Sequence, residues 1–214
     1  MSLAAAAWPG GRVNTLLLHR LAQPLVFALC LLPFLWLVLQ AATNGLGANP
    51  QEALIRSTGD WALRFVCITL AVTPLRVVAG LPAVARWRRM LGLFAFFYAG
   101  VHLLSYAVFD MGLDAAEMVQ DIIKRPFILV GTLTFLLLLP LAATSFNRAV
   151  RWLGAQRWQR LHRLVYLAAL TMLLHFFWMR AGKSDFAEVA VYAVLVACLL
   201  AWRLWRAVRQ RVAA

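Results

Sequence analysis

Residues 90–109 read MLGLFAFFYAGVHLLSYAVF, twenty positions with no Asp, Glu, Lys or Arg and a single histidine, His102. As a helix rising about 1.5 Å per residue, such a run spans roughly 30 Å, the thickness of a bilayer's hydrocarbon core. It shows no period-2 alternation and is too long for a barrel strand. Five more apolar segments of this kind run over 21–42, 60–79, 127–145, 161–179 and 187–206. The pattern predicts an all-α integral membrane protein, a bundle of six transmembrane helices. Pro24, Pro33, Pro74 and Pro140 fall in or near these spans, where neighbouring helices can satisfy the backbone groups they free.

Composition agrees. Of 214 residues, 64% are hydrophobic and 14% charged, and the mean hydropathy is +0.78. A soluble chain of this length has too little interior to bury so much apolar surface. A cytosolic globular enzyme, a disordered basic tail and a secreted disulfide scaffold are all excluded. Cys30, Cys67 and Cys198 stand far apart in apolar runs and read as small hydrophobes. Met1 to Gly11 carries no basic residue, so the signal-peptide order of charge, apolar core and cleavage site is missing and the first span is retained.

The net charge of +13 resolves into a topology. One set of segments holds Arg12 and Arg20; Arg76, Arg86, Arg88 and Arg89; Arg148, Arg151, Arg157, Arg160 and Arg163; and Arg203, Arg206, Arg209 and Arg211, which is 15 bases without one acid. The opposite set holds Arg56, Lys124, Arg125, Arg180 and Lys183 with all eight acids: Glu52, Asp60, Asp110, Asp114, Glu117, Asp121, Asp185 and Glu188. The positive-inside rule then places both termini in the cytoplasm. The chain divides into a cytoplasmic segment 1–20, a transmembrane domain 21–206 and a cytoplasmic tail 207–214. The loops are short, and no glycine-rich fingerprint after a strand offers a nucleotide-binding domain.

Polar groups inside a bilayer are costly and tend to be functional. His102 lies twelve residues past position 90, and His175 lies fourteen past position 161, on two spans that run in the same direction. Both therefore sit about 18–21 Å from the cytoplasmic edge. Two neutral imidazoles at one depth on neighbouring helices suit the two axial positions of a heme iron. The bland alternative is a pair of histidines hydrogen-bonded to neighbouring helices. A zinc site would need three or four ligands, and no Cys, Asp or Glu lies close enough in sequence to complete one. His162 precedes His175 by 13 residues, a rise of about 20 Å, and suits a second heme nearer the cytoplasm, although helix phasing separates the two by about 140°. The matching position on the other span, 13 before His102, is Arg89. His19 on the first span is a substitute partner; its bland reading, and that of His162, is a solvated interfacial side chain. Arg64, the one base inside a span, reads either as an i,i+4 partner of Asp60 or as a partner for a heme propionate. The arginines around Trp87 and Trp158 suit a flavin phosphate or a quinone head, and equally plain membrane anchoring.

Several stretches are familiar together: WALRFVCITLAVTPLR at 61–76, RRMLGLFAFFYAGVHLLSY at 88–106, KRPFILVG at 124–131, LPLAATS at 139–145, LGAQRWQRLHRLVYLAA at 153–169 and HFFW at 175–178. Over residues 15 to 206 the chain resembles the MsrQ family, heme-binding membrane subunits of the bacterial periplasmic methionine sulfoxide reductase system, within the ferric-reductase-like transmembrane group. The resemblance implies b-type heme, one or two, held by histidines that match His102, His162 and His175, together with FMN. It implies electrons entering from the quinone pool or a cytoplasmic flavin reductase. They leave to a periplasmic molybdenum-containing reductase that repairs oxidised methionines. It places the chain in the bacterial inner membrane as an electron-transfer subunit rather than the catalytic one. The missing second histidine on the third span departs from the four-histidine pattern of NADPH oxidases in the same group. The alternative is a stand-alone ferric or quinone reductase of the same fold; a transporter lacks support, since no inverted repeat is visible. On the outer face, eight acids against five bases suit steering of a basic patch on a soluble partner.

Overall fold

The structure is a computed structural model that describes residues 11–182 and 184–212. Residues 1–10, Lys183, and residues 213–214 lie outside it, so the first half of the N-terminal segment and the end of the tail are not described; nor is the side chain of Arg12. Among the described residues there is no strand. Ten helices follow one another: α1 Gly11–Leu18, α2 Ala22–Ala42, α3 Pro50–Val78, α4 Arg88–Ser105, α5 Ala115–Lys124, α6 Pro126–Ala143, α7 Asn147–Leu153, α8 Ala155–His162, α9 Leu164–Ala181 and α10 Ala187–Val212. A 3₁₀ turn, Pro82–Trp87, leads into α4, and a π turn, Tyr106–Asp110, prolongs it. Six stretches are long and apolar enough to cross a membrane: Ala22–Ala42, Pro50–Val78, Pro82–Asp110, Pro126–Ala143, Ala155–Ala181 and Ala187–Val212. The chain is an all-α, six-span, multi-pass membrane protein.

The expected spans are all present, with shifted ends. The second begins at Pro50 rather than 60, because Asn49 caps it: its Oδ1 accepts from Glu52 N at 3.2 Å and its Nδ2 donates to Glu52 Oε2 at 3.0 Å, with Pro50 in the first helical position. The last runs six residues past 206. The short helices outside the six spans were not anticipated. Helix α5, capped by Asp114 accepting from Ala116 N and Glu117 N, lies among the acids. Helices α7 and α8 meet at Gly154, whose φ of +75° few other residues adopt.

Four spans form the core. Helix α3 packs along α4, and α6 along α9, with α4 against α6 and α3 against α9 closing the bundle. Val66, Tyr98, Ala168 and Ala169, one or two from each of three helices, are fully buried. Rings on α3 and α4 stack, Phe65 on Tyr98 at 5.2 Å and Phe65 on Phe94 at 5.6 Å. Helices α2 and α10 flank this core and turn apolar side chains outward; Leu29 is 66% and Val194 63% exposed, as befits residues facing lipid. Pro33 disturbs the α2 ladder, and the Tyr98 hydroxyl enters it, donating to Cys30 O at 2.9 Å and accepting from Phe34 N at 3.1 Å. At one end of the bundle, Asn14 of α1 bonds Gly80 O and Ala83 N, and Arg86 reaches the carbonyls of Leu17 and Leu18. All eight acids lie toward the other end.

Candidate functional site

Between α3, α4, α6 and α9, toward the acid-bearing end, lies a cavity of about 1150 Å³ including its open mouth. His102 of α4 and His175 of α9 both line it. Their ring centroids stand 6.1 Å apart with the planes inclined at 77°. The depth matching expected for these two residues is realised as direct proximity.

Each ring is held the same way. His102 Nδ1 lies 2.8 Å from Ile55 O on α3, and His175 Nδ1 lies 2.6 Å from Phe127 O on α6. A carbonyl oxygen only accepts, so each Nδ1 carries the proton and Nε2 keeps its lone pair. A glycine makes room four residues beyond each carbonyl. A Cβ at Gly59 would come within 3.1 Å of His102 Cε1 and Nδ1, and one at Gly131 within 2.8 Å of the same atoms of His175. The two halves of the site, carbonyl, glycine and imidazole, repeat on the α3–α4 pair and the α6–α9 pair.

The walls are apolar, with Leu63, Ala99, Phe135, Met172 and Phe176 among them. The mouth is polar, formed by Arg56, Asp60, Tyr106, Asp110 and Arg125. Arg56 pairs with Glu52 at 2.5 Å, and Arg125 with Asp121 at 2.8 Å. The Tyr106 hydroxyl donates to the other Asp121 oxygen at 2.7 Å. Arg64 stands elsewhere. Its Nε donates to Tyr192 OH on α10 at 3.0 Å, its guanidinium lies 4.7 Å over the Trp61 ring, and it does not line the cavity.

His162 lines a second cavity, of about 910 Å³ including its open mouth, in the same four-helix core but toward the arginine-rich end. Its ring lies 3.8 Å from that of Trp158, and its Nε2 is 3.4 Å from Thr144 Oγ1. Arg88, Arg89, Thr69 and Ser145 share this cavity, and the buried Thr69 hydroxyl has no hydrogen-bond partner. His162 is thus not brought to the pair formed by His102 and His175. His19 is exposed, accepts from Leu21 N at 3.2 Å, and lines neither cavity. Among the described residues no three of His, Cys, Asp and Glu gather as a metal site. Reading the residues in order missed both glycines and the mouth arginines. The glycines' only signal was that each is the single glycine of its helix, α3 or α6.

Residues 25–173 match the family described as ferric reductase like transmembrane component. A protein of Polaromonas naphthalenivorans named protein-methionine-sulfoxide reductase heme-binding subunit MsrQ is 65% identical over 200 residues, covering 94% of this chain and 91% of its own. Proteins of the same name from Ralstonia nicotianae and Herminiimonas arsenicoxydans are 54% and 50% identical, covering 86% and 89% of this chain and 87% and 88% of their own.

The chain belongs to the MsrQ family.

No solved structure matches it. The ferric-reductase-like match takes in His102 and His162 and ends two residues before His175. The facing-imidazole site of this MsrQ-family chain is therefore built from residues on both sides of that boundary.

Proposed function

We propose that this chain is the heme-binding, electron-carrying membrane subunit of a methionine sulfoxide reductase system, with a b-type heme held between His102 and His175. The observation that carries the reading is the spacing of the two rings. Two metal–imidazole bonds of about 2 Å, with about 1 Å from each ring nitrogen to its ring centre, require centroids roughly 6 Å apart, and 6.1 Å is found. The residues fit the group in other respects too. The glycine at each ring's back is a cradle that a Cβ would fill, and each Nδ1 is held by a carbonyl, the support that metal-bound histidines require.

When bound, the heme iron supplies one-electron uptake and release. The protein's own residues do the rest. Ile55 O and Phe127 O fix the tautomer and aim of the two rings. The apolar walls exclude water and lower the local dielectric. Arg56 and Arg125 stand at the mouth to meet the carboxylates of the group, and Arg64 ties α3 to α10. His162 is the candidate for a second heme in the second cavity, where it is the one histidine among the lining residues.

Both termini and the arginine-rich end lie in the cytoplasm, in the bacterial inner membrane, by the positive-inside rule. Electrons enter there from the quinone pool or a cytoplasmic flavin reductase, with FMN associated. They leave at the acid-bearing end to a periplasmic molybdenum-containing reductase that repairs oxidised methionines. Support comes from the relatives' names and from the separation of charge between the two ends. The test is twofold. Purified protein should show a reducible b-type Soret band, and colourless folded protein overturns the heme. Deletion of the gene should abolish periplasmic methionine sulfoxide repair; intact repair with lost ferric or quinone reduction would favour a stand-alone reductase.

A further inference from the structure

Four arginines from three separate segments converge at the arginine-rich end. Arg76 of α3, Arg88 at the start of α4, and Arg203 and Arg206 of α10 line a third, open cavity of about 820 Å³, together with Tyr166 and Trp202. All eight acids lie toward the opposite end of the bundle. The positive-inside bias explains how many arginines occupy this end. It does not explain why four of them share one concave surface, where like charges repel.

The cavity is built from the interior outward. Pro74 has no N–H, so the helical acceptor four residues earlier, Leu70 O, loses its partner. Arg203 replaces it: Nη2 donates to Leu70 O on α3, and Nη1 donates to Leu199 O on its own helix at 2.7 Å. The guanidinium also lies 5.8 Å over the Tyr166 ring of α9. Arg203 is thus fixed between three helices by carbonyls and a ring, which leave its charge uncompensated. Arg206, half-buried, is held 5.5 Å over Trp202. Guanidinium forks match phosphate oxygens in pairs.

We infer that this cavity is a phosphate-binding site, for the phosphate of an anionic lipid headgroup or of a soluble phosphate-bearing ligand. Arg203 and Arg206 form its fixed floor. The exposed Arg76 and Arg88 close over the anion. Arg88 also lines the His162 cavity, so an anion here neutralises a charge shared by both. The site stands whether or not the bundle holds heme.

The experiment uses the full chain, delipidated in neutral detergent. One arm titrates phosphatidylglycerol, read by native mass spectrometry; the other titrates FMN, read by flavin fluorescence. The variant R76Q/R206Q leaves the Arg203–carbonyl bonds intact and so keeps the fold. R209Q, whose side chain stacks on Trp205 and does not line the cavity, is the control. Saturation at one ligand per chain is expected in at least one arm, weakened roughly tenfold or more by R76Q/R206Q and less than about threefold by R209Q. Lipid binding alone assigns the site to a headgroup, FMN binding alone to a soluble ligand, and mutual competition to either. The proposal is overturned if neither arm saturates, if R76Q/R206Q has no effect, or if R209Q weakens binding as much.

Discussion

His175 lies so close over Gly131 that a single added methyl on that glycine would sit 2.8 Å from the imidazole Cε1 and Nδ1. The ring's position is therefore set from behind by the absence of a side chain as much as by its hydrogen bond to Phe127 O. Gly131→Ala should move the ring, break that bond and cost about 1–3 kcal/mol through overpacking. The low-spin heme signal in electron paramagnetic resonance should be lost or shifted. Gly59→Ala, where the contact would be 3.1 Å, should do the same more mildly. Equal, unperturbed spectra for both variants would contradict the cradle.

His102→Ala and His175→Ala should each abolish the low-spin Soret spectrum of purified protein, because each removes one of the two facing rings. His19→Ala should leave it intact, since His19 lines neither cavity. His162→Ala separates one heme from two: with a second group in the His162 cavity, heme content per chain falls while the low-spin signal of the first remains.

The mouth arginines and Arg64 should part company in redox titration. Removing a cation beside a heme disfavours the reduced form, which carries one positive charge fewer. Arg125→Gln should lower the midpoint potential by on the order of 30 mV, half of the 59 mV that corresponds to about 1.4 kcal/mol for one electron. Arg64→Gln should leave the potential unchanged and lower thermal stability instead, by unpinning α3 from Tyr192 of α10.

Tyr98→Phe should destabilise the bundle without altering the heme spectrum. The hydroxyl serves Cys30 O and Phe34 N, and both groups lose a partner in a segment where lipid offers none. A loss of about 1–3 kcal/mol is expected, read from thermal unfolding in detergent. Tyr98 does not line the imidazole cavity, so an altered Soret band would contradict this division of labour.

The acid-bearing face should steer its soluble partner. Replacing Glu117 and Asp185 with Gln and Asn should slow electron delivery to the partner reductase and flatten its salt dependence. Stopped-flow rates at several ionic strengths check this. Unchanged rates and an unchanged salt slope would remove the electrostatic role.

Much of this molecule was readable because the bilayer imposes a simple code. A span must be apolar over about twenty residues, so all six were found, and helical rise alone put His102 and His175 at one depth. Helix α3 escaped at its start because residues 50–59 include Glu52 and Arg56; its beginning is set by the Asn49 cap, not by hydropathy. Helix α5 is too short and polar to register as a span. The fine structure of the site was hidden for a different reason. Gly59 and Gly131 acquire meaning only once a ring is placed against them, and which helix faces Arg64 depends on packing between α3 and α10 that spacing along the chain does not encode. His19 sat at a plausible depth, but depth says nothing about which side of its helix meets the core.

The acceptors that hold the two imidazoles belong to the main chain of Ile55 and Phe127, not to their side chains. Whatever residue stands at 55 or 127, the carbonyl remains. Substitution at either position should therefore keep the hydrogen bond, and its effect on the site comes instead through packing: the Phe127 ring stacks on His175 at 6.1 Å, and both side chains line the cavity. In this bundle the grip on each histidine's Nδ1 is written in the backbone and survives a change of side chain, whereas the two glycines that touch the rings from behind admit no added atom without a shift.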